Sequence, residues 1–135
     1  MTFVILFVTT SIIFLVADAL MLRTVLQPVF ARHLGDILYE GGFRLLPAVL
    51  FYLTYMGGML WFASWPALRD GAPAMALLNG AILGLVAYGT YEFTNLATLK
   101  GWTWRMVATD LTWGTMLTGF SAIAGVWVAR MVAPA

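Results

Sequence analysis

Four stretches of this chain, residues 2–22, 45–65, 74–99 and 106–129, each run for more than twenty residues with at most one charged side chain. A helix of about 20 mostly apolar residues crosses the hydrocarbon of a bilayer. Backbone groups there have no water to bond, so only helices or a closed barrel satisfy them. The runs are about twice the length of a barrel strand. The expected fold class is therefore an all-α integral membrane protein: a four-transmembrane-helix bundle in a single domain spanning residues 1–135.

The connections set how the helices meet. Residues 66–73 and 100–105 are short, so spans two, three and four are expected to be antiparallel neighbours. The first connection is longer. Within it Leu26, Phe30, Leu34, Ile37 and Leu38 recur at helical spacing, opposite Arg32, His33, Asp36 and Glu40, and Gly41-Gly42 ends the pattern. That predicts an amphipathic surface helix between helices 1 and 2, with Pro28 in its first turn. Arg23, Arg32, Arg44, Lys100 and Arg105 fall on the first and third connections, against Arg69 and Arg130 on the other side. The bias predicts that those two connections face the cytoplasm and both termini lie outside. No Lys or Arg precedes Arg23, so the first run lacks the basic start of a signal peptide and reads as a retained span. Trp61, Trp65, Trp102 and Trp104, near span ends, are expected in the headgroup layer.

Three acids interrupt the runs, and hydrocarbon offers a carboxylate nothing. Asp18 lies five residues before Arg23, Glu92 eight before Lys100, and Asp110 five after Arg105. At about 1.5 Å per residue, each sits roughly 7–12 Å inside the same side of the bundle. On the third span, Tyr88, Glu92 and Asn95 share a face with Gly84, while Ile82, Val86, Phe93 and Ala97 point elsewhere. On the fourth, Asp110, Trp113, Gly114, Leu117, Ser121 and Ala124 form one stripe. Gly80, Gly84, Gly114 and Ser121 are read as packing positions that let the two helices approach closely. The expected site is one polar cluster of Asp18, Tyr88, Glu92, Asn95 and Asp110, closed by at least one of Arg23, Lys100 or Arg105. The competing reading is structural, with the acids locked to those cations by long stems.

Other chemistry is poorly supplied. The chain has no Cys, which excludes disulfides, thiolate metal sites and cysteine nucleophiles. Its formal charge is +1, giving no basic surface for nucleic acid. His33, Asp36 and Glu40 share one helical face, but any solvated face yields that spacing, so no metal site is assigned and no cofactor is expected.

One pattern extends over nearly the whole chain. It comprises Tyr88-Gly89-Thr90-Tyr91, the run TNLATLKGW from Thr94 to Trp102, and Asp110 with Trp113-Gly114-Thr115. Asp18 and Phe51-Tyr52 belong to it as well. In these residues the chain resembles a widespread family of small bacterial four-span membrane proteins classed as a domain of unknown function. Glu92 stands where that family usually has Asp, and the family often has Trp near Met21. The resemblance implies a bacterial inner membrane, in which the charge bias puts both termini on the periplasmic side, and supplies no activity. The function expected is that of a non-enzymatic accessory subunit or lipid-binding protein associating through its embedded helices. The alternative is an enzyme or carrier acting on a lipid or small molecule at the carboxylate cluster. Expected partners are membrane lipids and a homo-oligomer or larger membrane complex.

Overall fold

The apolar runs form four helices long enough to cross a bilayer, Thr2–Val25, Leu45–Arg69, Pro73–Thr98 and Trp104–Val132. They are seen in a computed structural model that describes residues 1–26, 28, 32 and 44–132. The regular elements are α1 (Thr2–Met21), α2 (Leu45–Met59), α3 (Trp65–Arg69), α4 (Pro73–Thr98) and α5 (Trp104–Val132). The second span comprises α2, α3 and the turn joining them, while α4 and α5 are the third and fourth spans. The amphipathic helix expected over residues 26–40, with His33, Asp36 and Glu40, falls almost wholly outside the described residues.

Two π-helical turns break the regularity, Leu22–Leu26 after α1 and Leu60–Ser64 between α2 and α3. Each ends two residues before a proline, Pro28 and Pro66. Proline lacks an N–H and its ring crowds the carbonyl four residues back, so widening the preceding turn lets the helix run on. The second span accordingly continues past Trp65, its expected end, to Arg69. The chain then reverses through Gly71, whose φ of 65° suits glycine, and re-enters a helix with Pro73 in the first turn.

Packing is uneven. The third and fourth spans form the most extensive contact, the first span lies on the fourth, and the second meets the third mainly through Leu60–Ser64. Between the third and fourth spans the fit is set by missing side chains. A Cβ at Gly80 would stand 2.9 Å from the Thr118 carbonyl oxygen. One at Gly84 would collide with the Gly114 carbonyl oxygen, and one at Gly114 with the Tyr88 ring. Ser121 is buried in the same seam. Ile82, Val86 and Phe93 face outward. By contrast, Leu45, Leu46, Val49 and Leu50 in the first half of α2, and Leu53 just beyond it, are all exposed.

Candidate functional site

The acids do not face lipid; each is buried, with Glu92 fully so and Asp18 and Asp110 at 8% and 7% exposure. Asp18 ends a stripe of α1 that buries Leu6, Thr10 and Phe14 at helical spacing. Two neutral donors reach it from other spans. The Tyr52 hydroxyl donates to Oδ2 at 2.5 Å, and the Trp113 indole donates to Oδ1 at 3.1 Å. Asp18 thus ties together the first, second and fourth spans.

Glu92 is held differently. The Lys100-Gly101 turn brings Trp102 back under the end of the third span, where its indole donates to Glu92 Oε1 at 2.9 Å. Trp102 packs there with Met106 and Val107. It was expected in the headgroup layer and is instead buried, because its N–H finds a carboxylate one helical end away. Glu92 Oε2 meets no hydrogen-bond donor among the described residues. The Asp110 carboxyl, on the facing helix, is a neighbour of the Glu92 side chain.

Beside these groups lies a cleft of about 480 Å³. Asp18 and Asp110 reach it from the first and fourth spans, and Tyr52 and Tyr88 from the second and third. Leu22 and Ala87 supply aliphatic surface, while Phe51 and Tyr91, about half exposed, stand at its rim. Aromatic rings surround it. Tyr88 meets Tyr55 edge-on with centroids 5.9 Å apart, and Tyr55 stacks on Phe51 at 5.5 Å. The Tyr55 hydroxyl shares a 2.8 Å hydrogen bond with the Thr118 hydroxyl, anchoring the second span to the fourth.

The structure therefore brings Asp18, Tyr88 and Asp110 onto one cleft, with Glu92 buried beside Asp110 and Asn95 half-buried one turn beyond Tyr91. It differs from expectation in what closes the region. Arg23, Lys100 and Arg105 are exposed, and among the described residues the only ion pair joins Arg69 to Asp70 near the other end of the bundle. The physical reason is that indole and phenol donors already occupy the places next to the acids. Of these donors, Tyr52, Trp102 and Trp113 were not singled out from sequence as members of the cluster. Their signal was a hydroxyl or indole N–H inside or beside a span, each of which needs an acceptor. Unlike Thr118, the threonines Thr90, Thr98, Thr109 and Thr115 turn back on their own helices, each donating to the carbonyl four residues back.

Residues 3–127 match the family described as Predicted membrane protein (DUF2177), and the chain belongs to that family. No curated protein and no solved structure matches the chain.

Proposed function

We propose that this DUF2177 member binds a membrane lipid, holding part of its headgroup in the cleft between the spans. The observation that carries the reading is the cleft itself. Its buried end bears two carboxyl groups and its rim bears Phe51 and Tyr91, so polar and apolar surface are graded as an amphiphile is. Its volume of about 480 Å³ suits a headgroup and the first part of its chains rather than a whole lipid.

The basic residues support placing the Arg23 and Lys100 connections in the cytoplasm and both termini in the periplasm, which sets the cleft in the cytoplasmic leaflet of an inner membrane. Fusions of alkaline phosphatase and green fluorescent protein to the C-terminus test that orientation; a fluorescent fusion with silent phosphatase reverses it. Association with further copies or with a larger complex would use the exposed faces of the spans, since the connections among the described residues are short.

The lipid reading is tested by native mass spectrometry of the protein released from its membrane. Wild type should retain lipid, and Ala87→Trp, which fills the cleft from its aliphatic side, should lose it while melting as wild type does. Equal retention by both proteins would overturn the reading.

A further inference from the structure

The hydrogen-bonding inventory of the cleft is unbalanced. Of its carboxyl groups, Asp18 accepts from Tyr52 and Trp113. Glu92, fully buried and outside the cleft lining, accepts from Trp102 through one oxygen, while the other has no donor among the described residues. Asp110 lines the cleft and has a second carboxyl as its neighbour. Among the described residues, the charged groups that line the cleft are both acids, Asp18 from the first span and Asp110 from the fourth. The second span contributes the neutral Tyr52, and the third adds the neutral Tyr88 and Tyr91.

A ligand completing this site must bring donors, and preferably positive charge. A phosphate or carboxylate entering it would meet more acceptors and like charge, which weak screening makes costly. A hydroxyl brings one donor and no charge. A primary ammonium brings three donors and a cation, and aromatic rings such as Phe51, Tyr52, Tyr88 and Tyr91 attract a cation over their faces.

We infer that the lipid bound in this cleft carries an ammonium headgroup, whose N–H groups are taken by Asp110 while its charge faces Asp18. The inference rests on the lipid-binding reading above. The phosphate of such a zwitterionic headgroup stays outside the carboxyl layer. Arg23, next in the chain after the cleft residue Leu22 and exposed at that end, is the nearest cation in sequence to receive it.

The experiment is a titration of the purified, delipidated protein with dioleoyl phosphatidylethanolamine, phosphatidylcholine and phosphatidylglycerol, read by native mass spectrometry. The ethanolamine lipid should bind at least about tenfold more tightly than the glycerol lipid, with the choline lipid between them because it keeps the charge and loses the N–H donors. In Asp110→Asn the advantage over the glycerol lipid should shrink to about twofold. Should Asp110→Asn fail to fold, the order of the three lipids on wild type decides alone. Equal or tighter binding of the glycerol lipid overturns the headgroup inference and leaves lipid binding standing. Failure of wild type to bind any of the three removes lipid binding as well.

Discussion

Gly84 and Ala87 lie less than one turn apart on the third span and meet opposite surroundings. A single methyl added at Gly84 would run into the backbone of the fourth span, whereas the methyl of Ala87 borders a cleft of about 480 Å³. The contrast extends to whole helices. The third and fourth spans close on each other through Gly80, Gly84 and Gly114, while the first half of α2 leaves most of its apolar residues uncovered. The tight seam fixes the positions of Glu92 and Asp110. The looser second span leaves space next to them and sends in Tyr52 alone to bind Asp18. A binding site needs both: carboxyls held still and a wall that does not fill the gap.

If the seam is as rigid as this comparison requires, Gly114→Leu gives the largest effect. The new side chain must displace the Tyr88 ring, and a loss of about 3 kcal/mol is expected from overpacking. Unfolding in detergent followed by circular dichroism measures it, and wild-type stability would break the contrast at its stronger side. Trp102→Phe comes next. It keeps the ring but leaves a fully buried carboxylate oxygen without its donor, at a cost of about 1–3 kcal/mol in the same assay.

Tyr52→Phe sharpens the other side of the comparison. Asp18 retains the Trp113 indole, so about 1 kcal/mol is expected. A double-mutant cycle with Trp113→Phe should then show coupling, because both donors serve one carboxylate. Ala87→Leu should change stability least, within about 0.5 kcal/mol, while reducing lipid retention in native mass spectra. A cost matching that of Gly114→Leu would mean that the cleft is closed under native conditions.

Much of the scaffold was legible in the sequence because membrane helices obey few rules. Apolar length gives the spans, and glycine spacing gives the seam at Gly80, Gly84 and Gly114. The depth of Asp18, Glu92 and Asp110 was readable from helical rise alone. The partners of the acids were not. Opposite charge suggested Arg23, Lys100 and Arg105, but long cationic side chains at a span end remain near water, while Trp102 and Trp113 place neutral donors inside. Which neutral donor meets which acid depends on helix rotation, and the π turns reset rotation in two of the spans. Those turns had a sequence sign in Pro28 and Pro66, though proline equally announces a helix start or end.

Trp102 bears on how the chain gets into a bilayer. The third span carries Glu92 and Asn95 and the fourth Asp110, and a charged side chain inside a lone segment raises its insertion cost, by at most the roughly 2.5–3.5 kcal/mol of the helix centre. A helix released singly would take its acid into lipid with no donor in reach. The donor to Glu92 lies only ten residues downstream, just past the turn, so it leaves the ribosome soon after the acid it serves. The two spans are therefore suited to partition together as one hairpin, and lengthening the turn before Trp102 should separate them first during synthesis, before the finished protein shows any loss of stability.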